Sequence, residues 1–405
     1  MLFLMFILAD KDLEVKEIKK GTGEILSDVR INKKTGEWKE QPWKPYKSMN
    51  TVLDGIYDTA LVIDPTCISP SAKFSLHGCA SYLLFKRDKK KGAKKLDTAD
   101  FCKHRLCPIC NWRKSLKMFA QMQIVSKALM EKFPTARFLF LTLTVRNCSG
   151  DELKDTLDAM NAGLKLMFNP GKTNKSGKPV KAMLLGYAKA TEVNYNPEEF
   201  ITEEMFKKNK AYYKKSGLAV GDPNPSFDTY HPHFHILVMV KGEYFRGINY
   251  LSQAKWTDIW QNCMKLDYKP MVNIQVVKPN EKDLTSGATG LDMTDGTAKE
   301  KAMTAAISET FKYPMKPNSL KLDMFHDLDL NEQERIVQAV IIYSHALRRR
   351  RLVTFGGEIL KMRKILKQDD VEDGDLIDVG DEPTIESEFD FILFKYFKQM
   401  GCYVC

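Results

Sequence analysis

Hydrophobic positions recur along the chain with two different periods, which predict separate strands and helices. Residues 136–145 (ARFLFLTLTV), 182–195 and 271–277 are rich in β-branched and aromatic residues and predict strands. Residues 112–132 and 151–168 repeat apolar residues every three or four positions and predict amphipathic helices. A polar, lysine-rich stretch at 196–229 separates two of the strands and predicts a surface loop or helical insertion.

The C-terminal half predicts two further helices. The segment GTAKEKAMTAAISETFKYPMK predicts a helix that stops near Pro314, because the residue before a proline avoids helical geometry. The segment LNEQERIVQAVIIYSHALRRRR predicts a helix that ends in four arginines. The pattern favours an α+β fold with a central antiparallel or mixed sheet, flanking helices and a small N-terminal module.

Three of the chain's seven histidines lie in the strand YHPHFHILVMV, residues 230–240. Side chains two apart share one face of a strand, so His231, His233 and His235 project together. Pro232 indicates that the strand begins at residue 232 or 233. The histidines could pack on one another or act as a pH sensor, but three in register on an apolar strand favour a metal site.

Glu192 is the nearest candidate carboxylate, on the strand before the insertion. If the two strands are neighbours, Glu192 reaches the face of His233 and His235. Two imidazoles and one carboxylate leave coordination positions open for a substrate oxygen. This ligand set is more typical of a catalytic metal than of a structural one.

The segment CKHRLCPIC has the spacing of a zinc knuckle, in which thiolates from a tight turn bind one ion. It supplies Cys102, Cys107 and Cys110, and Cys79 is the preferred fourth ligand. His104 and His77 are alternatives for that fourth position. The other interpretation is a set of free buried cysteines.

The net charge of +10 suggests a polyanionic partner. Residues 369–390 hold 11 of the 52 acidic residues and no Lys or Arg, so the rest of the chain is more basic still. This acidic stretch is a candidate competitor for the basic surface. The apolar run MLFLMFIL is too short to span a membrane and lacks the features of a signal peptide, so we expect a cytoplasmic protein.

These features predict five regions. They are a polar, weakly structured lead-in at 1–70, a zinc-knuckle module and helix at 71–125, a domain with the histidine strand at 126–320, a basic helical region at 321–366, and an acidic linker with an aromatic tail at 367–405.

Three segments resemble motifs of the HUH endonucleases, in particular the single-tyrosine replication initiators of rolling-circle plasmids. FLFLTLT (138–144) resembles the first motif and HFHILV the second. ETFKYPMK (309–316) resembles the third, a tyrosine followed three residues later by a lysine, although Pro314 occupies a position that is hydrophobic in the family. The resemblance covers roughly residues 95–360 and leaves out the N-terminal region and the tail.

The resemblance implies a nickase and strand transferase that starts replication at a plasmid origin. It makes 126–320 an HUH nuclease domain and 321–366 a region that contacts DNA. Tyr313 would attack the phosphodiester, keep the 5′ end as a phosphotyrosine and free a 3′-hydroxyl primer. A Mg²⁺ or Mn²⁺ ion would be bound by His233, His235 and Glu192. His231 would be a third histidine ligand or would hold the scissile phosphate. Origin DNA, single-stranded at the nick, is the expected partner, with host helicase and polymerase as further candidates.

Glu309 precedes Tyr313 by four residues and would share its helix face, so it could activate water for a second cleavage. Lys316 could stabilise the phosphate or the phenolate. The alternatives are an ordinary surface glutamate and a solvated lysine. Phosphate contacts are expected from Arg348, Arg349, Arg350 and Arg351.

Rival interpretations exist for the nucleophile and for the function. Tyr343, in IIYSHALRRRR, is a second candidate nucleophile, although its apolar surroundings favour a packed tyrosine. A related HUH relaxase or transposase would share the histidine strand. A zinc-containing DNA-binding regulator without catalysis would use the cysteines and the basic charge only.

Overall fold

The segments predicted as strands around the histidine cluster form one antiparallel sheet. The computed structural model describes residues 3–7, 14–18, 21–31, 38–172, 174–277, 298–311, 317–380, 383, 385 and 388–405. Its strands are β1 (Phe3–Ile7), β2 (Glu14–Ile18), β3 (Val29–Ile31), β4 (Trp38–Glu40), β5 (Tyr82–Asp88), β6 (Lys94–Ala99), β7 (Arg137–Thr144), β8 (Leu184–Asn196), β9 (Thr229–Val240), β10 (Val272–Val276), β11 (Val353–Gly356), β12 (Phe389–Phe397) and β13 (Cys402–Val404). Its helices are α1 (Trp43–Ile63), α2 (Pro70–Gly78), α3 (Pro108–Lys132), α4 (Leu153–Phe168), α5 (Lys178–Met183), α6 (Glu203–Lys208), α7 (Lys210–Lys215), α8 (Gln253–Met264), α9 (Ala298–Thr310), α10 (Leu330–Ala346) and α11 (Gly357–Ile365).

Strand β9, which carries the histidines, lies at the centre of the histidine sheet. Within the described residues this sheet has the order β10-β7-β9-β8-β11, and every neighbouring pair is antiparallel. The long insertion between β8 and β9 forms α6 and α7, so the chain returns beside the strand it left. The α+β class with an antiparallel sheet is confirmed.

Helices cover both faces of the histidine sheet. On one face Phe234, Ile236 and Val238 are buried against residues of α4 and α8. On the other face Leu237 and Met239 are buried in a cluster with residues of α3, α9 and α11. The apolar end of β9 is hydrophobic on both faces because both are buried. His231, His233 and His235 lie on the same face of β9 as Leu237 and Met239.

A second sheet joins the two ends of the chain. Its order is β1-β2-β12-β5-β6, with β13 paired to β12, among the residues described. The strands are antiparallel neighbours except β2 and β12, which are parallel. We call it the terminal sheet, since β12 and β13 come from the predicted aromatic tail.

Two expectations, on the lead-in and on the start of β9, differ from the structure. The lead-in predicted as weakly structured contains the 21-residue helix α1, whose Leu53 and Tyr57 are buried in the core. Strand β9 begins at Thr229 and includes Pro232. The backbone of Tyr230 hydrogen-bonds to that of Cys148, on the edge of β9 that faces β7, and the backbone of residue 232 points to the same edge. The pairing of β9 with β7 ends at His233, so the missing N–H of Pro232 costs the sheet no hydrogen bond.

The four arginines lie beyond the helix and not within it. Helix α10 ends at Ala346, and Arg349 adopts a left-handed backbone with φ of 55°. Among the described residues, no helix is long and apolar enough to cross a membrane.

Candidate active site

Glu192, His233 and His235 converge at one point on the histidine sheet. Strands β8 and β9 pair so that Glu192 lies directly opposite His233, and His235 follows two residues along the same face. The Oε2 atom of Glu192 lies 3.1 Å from Nε2 of His235 and 3.3 Å from Nε2 of His233. Register alone brings these three residues together, as the sequence predicted if the strands were neighbours.

The spacing of these three residues fits one divalent ion. Their ligand atoms all lie within 4.8 Å of one another. Metal bonds of about 2.1 Å place adjacent ligands about 3.0–3.4 Å apart, which matches the Glu192 distances. A nitrogen and oxygen donor set of this kind suits Mn²⁺, Zn²⁺ and related ions. The group could therefore hold a metal ion.

The second nitrogen of each imidazole has a partner that orients the ring. Nδ1 of His233 lies 3.3 Å from the backbone oxygen of His231, and Nδ1 of His235 lies 3.3 Å from Oγ1 of Thr142. Phe140 stacks on the His235 ring, with centroids 5.6 Å apart and planes 14° apart. Partners at Nδ1 leave Nε2 to face Glu192, which is the usual arrangement of a metal-binding histidine.

His231 does not belong to this group. Its ring lies 5.3 Å from that of His233, opposite Asn194 on β8. Burial, together with the nearby His233, lowers the pKa of His231 to about 4, so the ring is neutral at pH 7. His231 supplies a backbone oxygen to His233, and the role of its side chain stays a prediction.

Helix α9 packs on the histidine-bearing face of the sheet, and the predicted third motif begins in its last turn. Its Met303 and Ile307 are buried in the same cluster as Leu237 and Met239 of β9. Glu309 lies in the last turn of this helix and is half-buried. Tyr313 and Lys316, the other predicted catalytic residues, lie outside the described residues.

Cys79, Cys102, Cys107 and Cys110 form a second compact group. Three of the distances between sulfur atoms are 3.6–3.7 Å. Four sulfurs bound tetrahedrally at about 2.3 Å lie about 3.8 Å apart, so the cluster has the size of a zinc site. Cys79 is the fourth member of this group, and its role as a zinc ligand stays a prediction.

The two histidines considered as alternatives to Cys79 have other partners. Nδ1 of His77 lies 2.7 Å from Asp54, and Nε2 of His104 lies 3.3 Å from the hydroxyl of Tyr57. Backbone N–H groups donate to the cluster instead, from Lys103 to Cys110 at 3.2 Å and from His104 to Cys102 at 3.4 Å. Such donors stabilise thiolates beside a metal.

The rival nucleophile Tyr343 is a packed core residue. Its side chain is fully buried beside Tyr230, and its hydroxyl donates to the backbone oxygen of Val193 at 3.1 Å. Burial raises the pKa of Tyr343, which disfavours a phenolate there.

Three of the four predicted DNA-binding arginines contact protein groups. Arg348 donates to the backbone of Thr66, Arg350 to Asp158 and Arg351 to Asp370. Arg349 is exposed. The contact of these four residues with DNA stays a prediction.

Sequence reasoning missed Phe140 and Thr142, which orient His235. Both lie in the predicted first motif and are half-buried, on a strand whose Leu139, Leu141 and Leu143 are buried. A polar threonine among these apolar residues was the available signal.

Comparisons with known proteins identify the family. The model of the replication protein family Rep_1 matches residues 93–402. A Protein rep from a Bacillus species is 35% identical over 309 residues, which are 76% of this chain and 85% of that protein. A Protein rep from Lentilactobacillus hilgardii is 33% identical over 361 residues, 88% of this chain and 91% of the relative. A Replication protein from Staphylococcus aureus is 30% identical over 275 residues, 67% and 92% of the two chains.

The chain therefore belongs to the Rep_1 replication protein family. This confirms the family resemblance inferred from the three motifs. The match extends to residue 402 and so includes the tail that the motifs left out. No solved structure matches the chain.

Proposed function

We propose that this replication protein starts rolling-circle replication as a metal-dependent, site-specific DNA nickase and strand transferase. The observation that carries the proposal is the convergence of Glu192, His233 and His235 on the sheet face that also packs against α9. A metal-binding group and the helix that precedes the predicted nucleophile thus share one face.

The proposal requires Tyr313 to reach this group, and the last described residue before it supports this. Phe311 is buried in the cluster that contains Ala190, and Ala190 lies opposite His235 in the β8–β9 register. The segment that contains Tyr313 therefore starts from a residue buried in the cluster that covers the histidine-bearing face of β9.

Glu192, His233 and His235 would hold Mg²⁺ or Mn²⁺, with Mn²⁺ favoured by two imidazoles. When bound, such an ion withdraws charge from a non-bridging phosphate oxygen. The phenol oxygen of Tyr313 forms a bond to phosphorus as it loses its proton. The bond from phosphorus to the 3′ oxygen breaks, and that oxygen takes up a proton as the primer hydroxyl.

The covalent link makes the reaction reversible and allows a second cleavage. Attack by a 3′-hydroxyl on the phosphotyrosine rejoins strands without ATP. Glu309, four residues before Tyr313 in the sequence, would instead take a proton from water that attacks the same phosphorus. Lys316 would stabilise charge on the phosphate or phenolate.

The cysteine group would hold a structural Zn²⁺ ion, because four thiolates close the coordination shell and leave no position for a substrate. This ion would fix the N-terminal helices to the nuclease domain.

The test incubates the full chain with labelled single-stranded origin DNA and Mn²⁺. We expect a protein–DNA adduct that survives denaturation and is absent in Tyr313→Phe and with EDTA. Bound but uncut DNA in every condition would favour a non-catalytic DNA-binding regulator and overturn the proposal.

A further inference from the structure

We propose that Arg146, held in place by Tyr268, binds a phosphate of a DNA strand that enters the site. The inference deepens the proposed function by naming a DNA contact outside the metal group. It rests on that function only in taking DNA as the substrate.

Arg146 lies at the end of the histidine sheet where the metal group lies. Strand β7 ends at Thr144, which is directly opposite His233. Paired Cα atoms are about 5 Å apart, and two residues span at most about 7 Å. The Cα atom of Arg146 is therefore within about 12 Å of that of His233, the span of a few nucleotides.

Tyr268 holds the arginine in a defined place. The guanidinium carbon of Arg146 lies 3.8 Å from the centre of the Tyr268 ring, and the backbone N–H of Arg146 donates to the tyrosine oxygen at 2.9 Å. The loop is anchored in turn, since Oγ1 of Thr144 donates to Met271 at 2.8 Å and the indole of Trp260 donates to Thr144 at 2.9 Å. Such a guanidinium loses little freedom when it binds an anion.

The charge of Arg146 is available to a ligand. The residue is exposed, and no carboxylate in the described part of the chain forms an ion pair with it. The adjoining loop adds the exposed Lys265 and Lys269 against one acid, Asp267. Arg350, by contrast, is paired with Asp158.

A phosphate of single-stranded DNA is the ligand that fits this arrangement. A planar guanidinium binds phosphate through two N–H groups, and its face opposite Tyr268 can stack on a neighbouring base. A carboxylate-bearing protein partner would use the same charge but would not depend on nucleic acid.

The test measures binding of the full chain to a fluorescein-labelled, 20-nucleotide single strand of mixed sequence, by anisotropy at several salt concentrations. We expect Arg146→Ala to weaken binding about five- to tenfold. The slope of log affinity against log salt should fall by about 0.7, the value for one phosphate contact on a single strand. Arg146→Lys should keep the slope and lose part of the affinity.

Arg137, at the opposite end of β7, is the matched control because its guanidinium bonds only to the backbone of Thr135 and Ala136 in the described residues. Arg137→Ala should bind as the unmodified chain does. Equal affinity and slope for Arg146→Ala and the unmodified chain, or equal losses in both variants, would overturn the inference. The readout needs no nicking, so failure of the nickase proposal leaves it interpretable.

Discussion

A buried carboxylate between two imidazoles dominates the site at the scale of single residues. The Glu192 side chain is 4% exposed, and the burial of a carboxylate costs free energy unless a positive charge or hydrogen bonds compensate. His233 and His235 approach the same oxygen atom of this carboxylate. A divalent ion at that point satisfies all three side chains at once.

Glu192→Gln removes the charge and keeps the shape, so we predict that Mn²⁺ affinity falls at least about 100-fold. Free Mn²⁺ measured by electron paramagnetic resonance gives the binding curve directly. His231→Asn, on the same strand but outside the group, should bind Mn²⁺ within about threefold of the unmodified chain. If Glu192→Gln bound Mn²⁺ as tightly as the unmodified chain, the proposed metal centre would have no part in the mechanism.

Lys189 is a buried base on the face of β8 opposite to that of Glu192, and it predicts that the stability of the fold depends on pH. Its Nζ donates to Asn161 and Thr191 at 3.1 and 2.9 Å, and burial lowers its pKa to about 7. The unfolded chain protonates this amine below its ordinary pKa of 10.5. Between pH 7 and 10.5 the unfolded state thus binds more protons, and the free energy of unfolding rises with pH.

The comparison variant is Lys189→Met, which has no proton to bind. We expect the stability of the unmodified chain relative to this variant to increase from pH 7 toward pH 10, as measured by urea unfolding at each pH. A constant difference across this range would show that the amine titrates normally in the folded protein.

At the scale of elements, one half of β9 belongs to the core and the other half carries the candidate metal ligands. Its C-terminal half is buried on both faces by helices, whereas its N-terminal half presents histidines beside Glu192. Helix α10 packs Tyr343 against Tyr230 at the start of this strand. Core packing at both ends thus fixes the register on which the metal group depends.

Tyr343→Phe tests this packing role against the rival catalytic role. Loss of the hydroxyl leaves the backbone oxygen of Val193 without its donor, so we predict a loss of about 1–2 kcal/mol in the free energy of unfolding. Urea unfolding measures this loss, and the DNA adduct should persist. If the adduct were absent in Tyr343→Phe but present in Tyr313→Phe, Tyr343 would be the nucleophile and Tyr313 would not.

The same elements show what the sequence could and could not predict. The histidine face followed from a period of two, and Glu192 became a candidate ligand because its strand is the one before the histidine strand in the sequence. The terminal sheet was missed because β12 and β5 are separated by about 300 residues and only tertiary pairing reveals them. The arginines were misplaced because a left-handed residue, Arg349, ends the segment without a glycine.

At the scale of the whole molecule, the acidic segment 369–380 is built into the fold. Glu372 is buried, accepts from the backbone N–H groups of Leu352 and Val353, and pairs with Arg105 at 2.9 Å. Leu376 is buried in the core cluster of α1 and α3. Release of the segment would expose these groups, which argues against the predicted competition with DNA for a basic surface.

The cysteine group lies where the distant parts of the chain meet. Lys47 of α1 donates to the backbone of Cys79 at 2.6 Å, and the hydroxyl of Tyr403 in β13 donates to Ala80 at 2.7 Å. Lys103 reaches the backbone of Asp373 in the acidic segment at 2.7 Å. An ion bound here would couple both chain ends to the histidine sheet, while the predicted domain boundaries stay a prediction.

Cys102→Ser removes one thiolate and should abolish stoichiometric zinc, which we expect at one ion per chain by elemental analysis. Because metal binding contributes to folding free energy, Tm should fall by at least about 5 °C. Cys405→Ser, outside the group, should keep both the zinc and the Tm. Full zinc content in the Cys102 variant would mean that the ion binds elsewhere. Lost zinc with an unchanged Tm would mean that the four cysteines hold an ion on which the junction of the two chain ends does not depend.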